Sequence, residues 1–172
     1  MRPHTLDAAG FGRIRLKTQP VCWVVAKAYG IMGDYQTALI YVMVLASAAD
    51  TDMTDAEIRR IGQIISNLPV FADFDMATLP KAAADCVDLL QDERGLDKAF
   101  DGIKKALPDR MRETAYALAC DVVAADGEVH QEELRFLEMA RHRLDIDRLI
   151  AAGIERGARA RFFRPHADDS GN

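Results

Sequence analysis

Two stretches of the chain gather carboxylates at short range. Residues 50–57 read Asp-Thr-Asp-Met-Thr-Asp-Ala-Glu, and residues 126–133 read Asp-Gly-Glu-Val-His-Gln-Glu-Glu. Each places acidic side chains at its positions 1, 3 and 8: Asp50, Asp52 and Glu57 in the first, Asp126, Glu128 and Glu133 in the second. If the chain turns there, the first two carboxylates fold back toward the start of the following helix, and the three can converge. A set of oxygen ligands without sulfur or imidazole suits a hard cation, Ca²⁺ or Mg²⁺. Gly127 lets the second turn adopt a left-handed backbone at low cost. Neither stretch is an EF-hand. That loop needs Gly at its sixth position and Glu at its twelfth, where this chain has Asp55 and Ile61, then Gln131 and Leu137. A site here requires its own geometry.

The same residues also have a purely structural use. Thr54-Asp55-Ala56-Glu57 is a capping box, in which Thr54 accepts from the Glu57 amide and Glu57 reaches back, stabilising the helix start by about 1 kcal/mol. Asp55, Glu132 and Glu133 in a first turn also complement the helix dipole. In the second stretch His130 replaces the threonine and the box is weaker, while Asp50, Asp52, Asp126 and Glu128 would be turn formers only. Three uses stay open: turn-and-cap chemistry alone, cation binding, and an acidic docking surface for another protein. Elsewhere the chemistry is sparse. His4, His130, His142 and His166 never pair at a metal-ligand spacing, and Glu138 with His142 fits surface hydrogen bonding. No glycine-rich phosphate loop, nucleophile elbow or Ser/His/Asp arrangement is present, so no catalytic residue and no organic cofactor is expected.

The elements that position the acidic turns occur twice. Residues 38–61 align without a gap on residues 114–137, an offset of 76 that matches Asp50 with Asp126, Asp52 with Glu128, Glu57 with Glu133, Ile58 with Leu134 and Ile61 with Leu137. Gln36–Ala49 and Arg112–Ala125 are apolar nearly all round and rich in alanine, the mark of buried helices that approach their neighbours closely. They should form a central pair. An amphipathic helix follows each turn, the first with Ile58, Ile61, Ile64, Ile65 and Leu68 inward, the second with a looser stripe of Leu134, Leu137, Ala140, Arg141 and Leu144. Ala77–Gln91, Leu96–Leu107 and Asp147–Phe162 read as further helices. No alternation of strand type persists, so the fold class is all-α: a duplicated multihelical domain with two central buried helices.

A chain of 172 residues suits one domain. Residues 34–163 are expected to form it, with residues 164–172 a disordered tail. Residues 1–33 are basic and have no counterpart in the second half; residues 1–31 are either a non-native upstream extension or a loosely attached segment. Residues 1–27 carry +4, so residues 28–172 sum to −9 of the net −5. An acidic body argues against nucleic acid as a partner, since phosphate contacts need clustered Lys and Arg. Cys22, Cys86 and Cys120 have no zinc or disulfide spacing and read as core side chains in a reducing compartment. The longest apolar stretches fall short of the ~20 residues of a membrane span, and Ala26-Lys27-Ala28 is a poor signal-cleavage site. The expected location is cytoplasmic. The basic run Arg156, Arg159, Arg161 and Arg164 opposes the negative end of its helix or meets an anionic partner.

These residues carry a family resemblance. The apolar helices that run into Ala48-Ala49-Asp50 and Ala124-Ala125-Asp126, the Asp-Gly-Glu-Val turn at 126–129 and Glu132-Glu133-Leu134 resemble the TerB-like family of tellurite-resistance domains. Leu68-Pro69-Val70-Phe71 and the Glu-Arg-Gly-Ala-Arg-Ala-Arg run at 155–161 are similar to its short, single-domain bacterial members. The resemblance implies two three-helix repeats about a pseudo-twofold axis. It implies metal ions at Asp50, Asp52, Glu57, Asp126, Glu128 and Glu133, with the second site favoured because Thr51 stands where the glycine would be. It further implies a role in tellurite and chemical stress, protein partners that include membrane-associated ones, and no catalytic activity. Direct capture of the tellurite oxyanion is opposed by carboxylate-lined turns on an acidic body. The alternatives are a metal-independent interaction adaptor and, remotely, a carboxylate metalloenzyme.

Overall fold

The computed structural model describes residues 34–48, 54–125, 127 and 130–163. Over these residues the chain is helical without a strand: α1 (Tyr35–Ser47), α2 (Asp55–Ser66), α3 (Leu79–Leu90), α4 (Gly95–Ala106), α5 (Arg112–Ala124), α6 (Gln131–Arg143) and α7 (Arg148–Arg161). Single 3-10 turns at Pro69–Phe71, Met76–Thr78 and Asp109–Met111 serve as connectors. The segment 1–33, the tail 164–172, Cys22 and Arg164 lie outside the described residues.

α1 and α5 sit at the centre, as their composition requires. α1 opens on Asp34, whose side chain accepts from the Thr37 amide at 2.7 Å, and it carries no charged side chain along its length. Every residue from Ala38 to Ala46 is buried. A helix apolar on all faces must be covered on all faces, and α1 packs against α2, α3, α4, α5 and α6. α5 buries Ala115, Tyr116, Leu118, Ala119, Cys120, Val122 and Val123 and packs against α1, α6 and α7.

The outer helices bury one stripe each. α2 buries Ile61 and Ile65, with Ile58, Ile64 and Leu68 half-covered. It ends at Asn67, before Pro69 starts the next turn. α3 has Pro80 in its first turn, where the missing amide costs nothing, and turns Leu79, Ala83 and Cys86 inward. α4 contributes Ala99, Phe100, Ile103 and Ala106, with the Phe100 and Phe136 rings 6.1 Å apart between centroids. Burial pushes the Cys86 and Cys120 thiols up to about 12, so both act as small apolar core groups.

α6 departs from the expected stripe. Leu134, expected inward, is 51% exposed and Phe136 is buried in its stead, while Leu137, Ala140 and Leu144 are buried as expected. The aromatic ring of Phe136 takes the inward position against Phe100, which turns the helix so that Leu134 faces outward. Asp145, in the tight turn after α6 with φ of 56°, accepts from Lys104 of α4 at 2.5 Å and Arg112 of α5 at 3.1 Å. The Lys104 ammonium holds its carboxyl below the usual range. Arg143 pairs with Asp97 of α4, and Arg161 with Asp121 of α5. The basic run therefore includes an ion pair to the core helix besides its place at a helix C-terminus. No helix of the described residues is long and apolar enough to cross a membrane.

Candidate cation-binding turns

Each acidic turn joins a buried helix to a capped one. The first lies between α1 and α2. Asp50 and Asp52 are outside the described residues, and Glu57 stands in the first turn of α2. Thr54 is the N-cap, with extended backbone. Its hydroxyl oxygen accepts from the Glu57 amide at 3.3 Å. Glu57 Oε2 accepts in return from the Thr54 amide at 2.6 Å and from the Thr54 hydroxyl at 2.8 Å. The capping box is thus formed as its sequence requires. Glu57 Oε1 accepts from the hydroxyl of Ser47, the last residue of α1, at 2.9 Å. Burial pushes the Glu57 carboxyl up, but the Thr54 amide and hydroxyl, the Ser47 hydroxyl and the Arg60 charge outweigh it and leave the pKa below the ordinary value.

The second turn, between α5 and α6, is built differently. Asp126 and Glu128 lie outside the described residues. Gly127 has φ of 87°, the left-handed conformation that its missing side chain allows, and its amide donates to the Ala124 carbonyl at 3.2 Å. Glu133 Oε2 accepts from the backbone amide of His130 at 2.8 Å. The position at the Ser47 offset is Val123, a buried residue without a hydroxyl. Among the described residues no donor meets Glu133 Oε1. Among the described residues, then, Glu57 has both oxygens engaged and Glu133 has one.

Ser47 was not apparent as part of the first turn. Its signal was a lone hydroxyl at the end of an apolar helix, ten residues before its acceptor. His142 and Glu138 do not form a pair; the His142 Nε2 instead lies 2.9 Å from an Arg141 guanidinium nitrogen. Among the described residues no cluster of three or more His, Cys, Asp or Glu is disposed to hold a metal ion, and four of the six candidate ligands fall outside that set.

A buried helix pair, with a helix after each member whose first turn holds a glutamate bonded back to the N-cap amide, makes an all-helical domain. The family described as tellurite resistance protein TerB matches residues 36–152, and the chain belongs to that family. No curated protein and no solved structure matches the chain.

Proposed function

We propose that this protein is a non-enzymatic module of the tellurite- and metal-stress response that binds a divalent cation, Ca²⁺ or Mg²⁺, at its acidic turns. The second turn, with Asp126, Glu128 and Glu133, is the stronger site. One observation carries this reading. Among the described residues Glu133, at the head of α6, accepts one hydrogen bond, through Oε2, and no donor meets its other oxygen, while Gly127 of the same stretch lies in the left-handed region. Glu57, with both oxygens held by Thr54 and Ser47, is the weaker ligand and the better cap.

The test is the melting temperature of metal-stripped protein against Ca²⁺, Mg²⁺, Mn²⁺ and Zn²⁺. A cation at a hundred times its dissociation constant adds about 2.7 kcal/mol, a rise of several degrees. The rise should vanish in Asp126→Asn and largely persist in Asp50→Asn. If no ion raises the melting temperature, the turns are caps and the cation reading fails. If Asp50→Asn abolishes the rise and Asp126→Asn does not, the ranking of the two turns is reversed.

A further inference from the structure

α7 is held differently from the other helices. It lies along α5 and touches the rest of the domain little, and α1 is covered by α2 to α6 without it. Its fully buried residues, Ala151 and Ala158, are both alanine. By contrast α2 buries Ile61 and Ile65, and α6 buries Phe136 and Leu137. A methyl group removes far less apolar area from water than those side chains, and hydrophobic stabilisation follows that area. The larger apolar side chains of α7 add little: Ile154 is half-buried, while Ile150 is 41% and Leu149 82% exposed.

Polar contacts stand where apolar ones would be. The Tyr116 hydroxyl of α5 donates to Glu155 Oε1 at 2.6 Å, and Arg161 pairs with Asp121. At the 76-residue offset Tyr116 falls on Ile40 and Glu155 on Leu79, two aliphatic side chains of the core. The second half thus holds its outer helix by a hydrogen bond where the first half has hydrocarbon. Arg161 is half-exposed, and an ion pair so open to solvent contributes little.

The turn before α7 is anchored more firmly than the helix. Leu144 and Ile146 are buried there, and Asp145 binds Lys104 and Arg112. Asp147 then caps α7 by accepting from the Leu149 and Ile150 amides, bonds that lie within the helix itself. A hinge at Asp147 therefore separates a fixed turn from a helix that α5 holds weakly. Beneath α7 lies Cys120, one turn on from Tyr116 on the same face of α5 and 3% exposed. Burial raises its pKa most and the Glu155 carboxylate next, as expected of a thiol under α7. Cys86 lies elsewhere, in α3, with its Sγ 4.0 Å from the Tyr41 carbonyl of α1.

We propose that α7 is a detachable helix, which leaves α5 while α1 to α6 stay folded and so gates the face that carries Tyr116 and Cys120. A helix of 14 residues is marginal alone, so release and loss of helix are one event. Elements with few buried apolar contacts open at free energies below that of global unfolding. Release of α7 presents one face of the central pair to solvent or to a partner without loss of the fold. The inference goes beyond cation binding and does not depend on it.

The experiment is iodoacetamide labelling of the full-length protein in sub-denaturing urea, with the Cys86 and Cys120 peptides quantified separately by mass spectrometry. Cys120 should label at least about tenfold faster than Cys86 and with a shallower urea dependence, the mark of an opening that exposes less surface than global unfolding. Gly153→Ala adds a Cβ with nothing within 4 Å and favours the helix, so it should slow Cys120 about three- to fivefold. Thr54→Ala weakens the cap of α2, which stays folded when α7 leaves. It should speed Cys86 about fivefold and leave Cys120 unchanged. The proposal is overturned if Cys120 labels no faster than Cys86, if Thr54→Ala speeds both thiols alike, or if Gly153→Ala does not slow Cys120.

Discussion

Glu57 uses both carboxylate oxygens on the turn it caps, and this sets the sign of its pH response. Its pKa is lowered in the folded protein, so its contribution to stability is fully present above the ordinary carboxylate range and is lost as pH falls through the folded value. Thr54→Ala removes the hydroxyl that both donates to and accepts from Glu57. At neutral pH it should cost about 1 kcal/mol, roughly 2–4 °C in a domain of this size. The difference from wild type should shrink in acid, where the carboxylate is protonated in both proteins. Thermal melts at neutral and acid pH check this, and a deficit independent of pH would show that Thr54 acts through the backbone alone. The cap was legible because Thr-x-x-Glu before an apolar periodic run has one local meaning. The Ser47 hydroxyl was not, because a contact across a turn depends on where the turn returns the chain. The same limit applies to Asp50, Asp52, Asp126 and Glu128, whose spacing permits convergence but does not specify it.

At the scale of elements, the periodic pattern fixes where helices run, and packing fixes which way they face. α3, α4 and α7 begin and end within two residues of the limits set by Pro, Gly and the apolar stripe. The facing of α6 was right at Leu137, Ala140 and Leu144 and wrong at Leu134, because Leu134 and Phe136 both suit a stripe through Leu137 and the Phe100 ring opposite favours Phe136. The junction of α3 and α4 carries a further constraint. A Cβ on Gly95 would lie 2.1 Å from the Leu89 carbonyl oxygen and 2.8 Å from the Leu90 Cα, both backbone atoms that cannot swing aside. Gly95 is thus the close approach that lets α4 start directly after α3. Gly95→Ala should cost about 1–3 kcal/mol as an overpacked site, although alanine is the better helix former. A chemical denaturation series reads the loss, and a neutral or stabilising outcome would mean that the junction can shift by more than an ångström without penalty.

At the scale of the whole molecule the repeated sequence and the packing make opposite suggestions about folding. Two copies of helix, acidic turn and capped helix invite a picture of two units that could unfold one after the other. The contacts do not allow it. α1 belongs by sequence to the first copy, yet it packs against α5 and α6 of the second as well as against α2, α3 and α4. Nine consecutive residues of α1, Ala38 to Ala46, are covered only while all of these are in place. Loss of either half would expose that surface, at about 25 cal/mol per Å² of apolar area, and this couples the halves into one transition. Helix ellipticity and the near-ultraviolet aromatic signal should therefore melt at a single temperature. Met43→Ala, at a fully buried position of α1, should lower both together by about 2–5 kcal/mol. Two separated transitions, or a Met43→Ala effect confined to one signal, would mean that the duplicated halves remain separate cooperative units inside one shell. A single transition would make the central pair the place where the repeats become one domain.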